Sequence, residues 1–333
     1  MSPVDIDSFV TALPKCEVHL HFEGAVPMRL VQEWCTEELP EAPPWRRRDY
    51  RYGSFATEFS EVMRVTWRGT CDTLERLDVA STEIYRDLAA QNVLYLEMSI
   101  GIGAYPYPPA ETLAAFKNGI PDGLTVRIIG GLSRDRDFKL IHDAGTAYAA
   151  CGALNGLELH GLESEGDPRM FLDLYEMGRE RGLILKAHAG EMSGADSIVS
   201  ILDSLNVKRI EHGVRGIESD ALVQRYIDED ITLDLCPWSN VKLGVYPDLK
   251  CHPVRDLHRR GVRVTVNTDD PTPFGQTLTE EYSWLLTECG LSVEEVGAIA
   301  KNGFVIADLD ERAKGQAIRK IDALVSKYAK ASR

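Results

Sequence analysis

Short apolar runs recur along the chain, separated by segments whose apolar residues fall three and four apart. The runs at 16–22, 92–100, 125–130, 156–160, 183–188, 208–212, 231–236 and 262–267 have the length and composition of strands. Between them, 171–181 (FLDLYEMGRER) and 220–228 (DALVQRYID) carry helical periodicity. Eight strand–helix alternations predict an α/β protein whose parallel sheet closes into a (β/α)8 TIM barrel. The open doubly wound sheet competes with it. That fold ordinarily places a glycine-rich turn after its first strand. Here the strand runs into His19-Leu20-His21-Phe22-Glu23-Gly24, and neither G-x-G-x-x-G nor a P-loop occurs.

The connection from 22 to 92 is far longer than the others. It holds a proline-rich turn at 39–44, a basic run at 46–48 read as a solvated turn, and predicted helices over 27–34, 54–66 and 71–91. A helical insertion after the first barrel strand is expected to cover or shape the pocket. The chain beyond 308 reads as closing helices and a polar tail. No repeat or boundary divides it, so one domain is expected over 1–333.

Charge narrows the partners. With 37 basic and 52 acidic residues the net charge is −15, a field that repels phosphate backbones and anionic lipid. The expected partner is a small molecule, with no nucleic acid and no membrane; the sequence sets no oligomeric state. Seven cysteines at irregular spacing form no C-x-x-C, which points to a reducing, cytoplasmic setting. Residues 1–13 do not read as a signal peptide, and Glu97 interrupts the apolar run around it.

The chemistry-bearing residues gather at predicted strand ends. His19 and His21 are two apart on one strand, so both imidazoles face the barrel interior and make half of a metal site. His188 ends the fifth strand in Lys186-Ala187-His188-Ala189-Gly190-Glu191. His212 ends the sixth, and Asp269 and Asp270 follow the eighth. Each has a plainer reading: a strand histidine can be a bonded core residue, and Asp-Asp-Pro a turn and helix cap. Their conjunction at one barrel end is harder to explain that way, because burying adjacent carboxylates without a cation is costly. Three nitrogens and one carboxylate oxygen suit zinc with a position left for water, whose pKa then falls toward ~7. Glu191 is placed to reach the pocket as a proton donor, and His212 to orient or deprotonate the water.

Five ordered segments sharpen this. They are Leu13-Pro14-Lys15-Cys16-Glu17-Val18-His19-Leu20-His21-Phe22-Glu23-Gly24, His188-Ala189-Gly190-Glu191, Arg209-Ile210-Glu211-His212-Gly213-Val214, Cys236-Pro237-Trp238-Ser239-Asn240 and Val266-Asn267-Thr268-Asp269-Asp270-Pro271. Together they resemble the motifs of the adenosine/adenine deaminase family of the amidohydrolase superfamily. The resemblance implies a metal-dependent hydrolase with one zinc ion per chain, held by His19, His21, His188 and Asp269. By it, Glu191 protonates the purine ring nitrogen beside the reacting carbon, and His212 positions and activates the hydroxide. Asp270 bonds the imidazole side of the purine, and the Gly161 N–H meets the ring as well. The implied reaction removes the 6-amino group of adenosine or a related adenine nucleoside, giving the 6-oxopurine and ammonia. The alternative is an adenine deaminase converting the free base to hypoxanthine.

The rim departs from the family pattern. Glu23 stands where adenosine-specific members resemble one another in having Asp, the residue that meets the ribose; Glu is more similar to adenine deaminases. Gly161 stands where those tend to carry a Ser-rich segment. His160 is read as packing, with pocket lining as the other option, and Trp238 as either core or purine neighbour. Cys236 is read as barrel packing, and His142, His252 and His258 are given no role. Two-metal hydrolases of the same superfamily resemble one another in having a metal-bridging carboxylated lysine or a glutamate at the fourth strand; this chain has His160 and Gly161 at that end and no lysine between Lys139 and Lys186. A barrel kept only for binding would be expected to have lost part of the acid and ligand set, all of which is present.

Overall fold

The computed structural model describes residues 3–35, 37–67 and 72–331. All eight predicted strands form: β1 (Lys15–His21), β2 (Val93–Gly101), β3 (Thr125–Ser133), β4 (Gly156–His160), β5 (Ile184–Ala189), β6 (Arg209–His212), β7 (Thr232–Leu235) and β8 (Arg263–Val266). They pair in parallel in the order β1 to β8, and a bridge between Leu20 and Asp269 brings the last strand back to the first. This is the expected (β/α)8 barrel. β3 runs past its predicted end at Gly130, through Gly131 to Ser133. A Cβ on Gly131 would come within 2.6 Å of His160 Cε1, so the glycine leaves room for that ring.

The helix expected at 220–228 is Asp220–Asp228, and 171–181 becomes a 3-10 turn, Pro168–Phe171, followed by Leu172–Glu180. The long insertion holds Met28–Trp34, a single π-turn at Phe55–Phe59 leading into Ser60–Trp67, and Leu74–Ala90. Cys71, the predicted start of the last of these, lies outside the described residues. The described part of the chain beyond 308 ends in one helix, Glu311–Ala331. Residues 332–333 of the predicted tail are outside the described set. Among the described residues no helix is long and apolar enough to cross a membrane, and the six described cysteines are free.

Alternation along the strands creates two interiors. Val18, Leu20, Ile210, Leu233, Leu235, Val264 and Val266 are buried in the apolar core. The opposite faces fill the barrel with polar groups. Lys186 Nζ lies 2.8 Å from Glu211 and 3.5 Å from Glu97. Arg209 pairs with Glu97 at 2.9 Å and Asp234 at 2.7 Å. Such charges are tolerable in a buried interior because opposite charges are paired. They form a charged floor beneath the strand ends.

Candidate active site

The C-terminal strand ends bring His19, His21, His188 and Asp269 together, one potential ligand atom from each lying within 4.8 Å of the others. His19 Nε2 is 3.2 Å from His188 Nε2 and 3.5 Å from Asp269 Oδ1; His21 Nε2 is 3.3 Å from the same oxygen. The edge of a tetrahedron with zinc–ligand bonds of ~2.0–2.1 Å is about 3.3 Å, so these atoms fit a divalent cation. Their outer nitrogens face fixed acceptors. His19 Nδ1 meets the Asp234 carbonyl at 3.0 Å, His21 Nδ1 is 3.5 Å from Glu158, and His188 Nδ1 is 3.0 Å from Glu211. Ser239 donates to Asp269 Oδ2 at 2.6 Å. His19 and Asp269 thus have the hydrogen-bonded support typical of metal ligands, while His21 and His188 each have a carboxylate beside the outer nitrogen.

Two of these positions need unusual backbone. His212 and Asp269 have φ of 62° and 65°, a left-handed conformation costly for most side chains. The turn at His212 lets it follow the inward-facing Glu211 yet still reach the site. Its Nε2 lies 3.8 Å from Asp269 Oδ2.

Glu191 sits in the loop after β5. Burial pushes its carboxyl well above the usual range, with the Asp269 and Glu163 carboxylates adding to the shift. Burial, with His19 beside it, pushes His212 well down. The pair therefore favours a neutral acid and a neutral imidazole. Asn240 Nδ2 reaches both, at 3.0 Å from Glu191 Oε1 and 3.3 Å from His212 Nδ1. The loop itself is pinned by Glu163, whose carboxylate accepts N–H groups from Gly190, Glu191, Met192 and Ser193 at 2.6–3.2 Å.

These groups face a cavity of about 330 Å³. The insertion after β1 contributes an apolar wall of Phe55, Phe59, Met63 and Trp67, as expected of it. Glu23, Gly161 and Asp270 all line the cavity. Asp270 Oδ1 is buried without a hydrogen-bond partner, and burial, then Asp269, raises its pKa well above the usual value. A Cβ on Gly24 would lie 1.8 Å from that oxygen, so only glycine fits there. Glu23 Oε1 is engaged by the Gly101 N–H at 2.7 Å and the Tyr105 hydroxyl at 2.6 Å. His160 lines the cavity with Nδ1 held by Glu158 at 2.9 Å. Trp238 is buried against Trp284, its Nε1 donating to the Phe274 carbonyl at 3.1 Å.

Sequence reasoning missed Glu158, Glu163, Glu211, Asn240 and His252. Glu158 was legible: it stands two before His160 on one strand and so shares its face. The others depend on loop paths or long-range contacts. Cys236, read as packing, lies with Sγ 3.3 Å from His19 Nδ1.

Comparison with known proteins adds the following. The family model described as adenosine deaminase matches residues 14–324. An adenine deaminase of Pseudomonas putida (strain GB-1) is 33% identical over 320 residues, covering 88% of this chain and 97% of that protein. The crystal structure of an adenine deaminase from Arthrobacter aurescens superposes with a TM-score of 0.83 at 25% identity, covering 94% of this chain and 99% of the other. An amidohydrolase from Burkhoderia ambifaria, solved with bound Zn, shares the fold with a TM-score of 0.84 at 24% identity, over 99% of this chain and 96% of that one.

Proposed function

The chain belongs to the adenosine deaminase family and is a purine hydrolytic deaminase, and from that premise we propose that it removes the 6-amino group of adenosine or a related adenine nucleoside with the aid of one zinc ion. The observation that carries this is the placement of Glu191 on the cavity wall beside the cluster of His19, His21, His188 and Asp269, in one group with His212 and Asp269. In this reading those four residues hold the cation, which supplies Lewis acidity and lowers the pKa of a water. Glu191 stays protonated and donates to the ring nitrogen beside C6, drawing electrons from the reacting carbon. His212 hydrogen-bonds the incoming oxygen. Asp270, whose Oδ1 lacks a protein partner, accepts from or donates to the imidazole side of the purine. Gly161 and Glu23 border the base and its N9 substituent.

The room beyond the polar end, walled by Phe55, Phe59, Met63 and Trp67, favours a substrate larger than the bare base. A second reading, free adenine, is favoured by Glu23: one carboxylate oxygen is already engaged by Gly101 and Tyr105, leaving less of it for a ribose. Metal analysis with a side-by-side assay of adenine, adenosine, 2′-deoxyadenosine and 5′-modified adenosines decides. A large kcat/KM preference for a nucleoside is expected. Preference for adenine selects the second reading, and no turnover of any 6-aminopurine by zinc-loaded protein defeats both.

A further inference from the structure

We propose that His252, acting through Asn240, fixes which atoms of Glu191 and His212 carry protons, and so is a positioning residue for the deamination. Its role in turnover rests on the reading of Glu191 as the proton donor. The hydrogen-bond relay itself stands on geometry.

His252 lies outside the barrel strands and is 4% exposed. The Val254 N–H donates to its Nδ1 at 3.2 Å. An accepting Nδ1 places the proton of a neutral imidazole on Nε2, and burial holds the ring neutral, its pKa pushed down to about 3. Nε2 lies 3.1 Å from Asn240 Oδ1 and donates to it. The opposite amide orientation would set two donors against each other, so Nδ2 must face the site.

Asn240 Nδ2 then has two hydrogens for two acceptors. One goes to Glu191 Oε1 at 3.0 Å and the other to His212 Nδ1 at 3.3 Å. With Oε1 accepting, the acidic proton of Glu191 belongs on Oε2. With Nδ1 accepting, the His212 proton belongs on Nε2, the nitrogen nearest Asp269. His212 thereby offers a donor to an oxygen beside the cation site, and Glu191 keeps an O–H for the purine. A backbone N–H at 254 thus sets the proton inventory of two groups on other elements.

The direct test is histidine-selective 15N labelling of the zinc-loaded enzyme, where two-bond 1H–15N correlations distinguish ring tautomers. Both His252 and His212 are expected as Nε2–H; either found as Nδ1–H overturns the relay. Kinetics supply an independent arm. His252→Phe should lower kcat by ~10–100-fold, as loss of outer hydrogen bonds around a metal site commonly does. Bound zinc should be unchanged and KM should move by less than about three-fold. His252→Gln, which can restore a donor to Asn240 Oδ1, should recover part of the loss. Asn240→Ala with His252→Phe should be no slower than Asn240→Ala alone, because His252 acts only through Asn240. Full kcat in His252→Phe, or losses that multiply in the double variant, would overturn the proposal. The tautomers are read without substrate. Absence of deaminase activity in the wild type would therefore remove the functional reading while the spectra still decide the relay.

Discussion

Asp269 donates its backbone N–H to the His19 carbonyl at 3.0 Å, and the His21 N–H returns a bond to the Asp269 carbonyl at 3.0 Å. The residue whose carboxylate would hold the proposed cation therefore also sutures the last strand to the first. The backbone bonds that close the barrel thus also place the Asp269 side chain beside His19 and His21. The side chain at 269 can be changed without cutting the suture, provided the left-handed φ is tolerated. Asparagine tolerates it. Asp269→Asn is expected to fold, with metal-free thermal stability near that of the metal-free wild type. Its zinc affinity should fall by at least ~100-fold, beyond the 10–100-fold typical of outer-shell changes. Metal titration and thermal melts check this, and an Asp269→Asn protein that keeps full zinc would remove Asp269 from the ligand set.

Glu191→Gln keeps the acceptor that Asn240 bonds and removes the acid. The variant should retain fold and zinc, with kcat lowered by ~10²–10⁴-fold, the range general acid catalysis supplies. The pH profile carries a sign. Burial raises the Glu191 pKa, so the protonated form, the active one in the proposed mechanism, persists to higher pH than in an ordinary glutamate and is lost as pH rises past that raised value. The wild type should show this alkaline limb and Glu191→Gln should not. Wild-type turnover in the variant would end the proton-donor assignment.

How much of this was legible follows from one regularity. Inward positions on barrel strands recur every second residue, so Glu17, His19 and His21 share a face, as do Lys186 and His188. That rule located most of the cluster and, carried further, would have found Glu158 from His160. It fails at His212, which follows inward-facing Glu211 directly, because a positive φ breaks the alternation. No spacing announces such a turn. It fails again at His252 and Glu163, which sit in loops without periodicity and meet their partners only through the tertiary fold.

Glu163 shows what those loops contribute. Its carboxylate accepts four consecutive backbone N–H groups from 190 to 193, and the Ser197 hydroxyl as well. An amide in its place presents hydrogens to one set of these donors. Glu163→Gln should cost on the order of 3 kcal/mol, as expected for breaking hydrogen bonds to a charged group. It should also lower kcat more than it raises KM, because the loop it holds carries Glu191. Urea unfolding and steady-state kinetics measure the two effects. A variant as stable and fast as wild type would show that the nest holds its shape without the charge.

At the opposite end of β1, Lys15 offers a test of the fold independent of catalysis. Its Nζ donates to the Leu13 carbonyl at 3.0 Å and the Gln91 carbonyl at 2.8 Å, with no carboxylate among these partners, and burial pushes its pKa down to about 7. The unfolded chain holds this proton up to its ordinary value of 10.5. Between those limits the unfolded state binds more protons than the folded one, so this group makes stability rise with pH. Below about pH 7 both states are protonated and the full cost of burying the charge is present. Lys15→Met removes the cost but also two hydrogen bonds, one to the nearby Leu13 carbonyl and one to Gln91 that ties β1 to the residues leading into β2. Other groups titrate in the same range, so the informative quantity is the difference in urea-unfolding free energy between wild type and Lys15→Met. That difference should shift in favour of the wild type from pH 7 to pH 9. A difference that stays constant across the range would mean that Lys15 remains charged in the folded barrel.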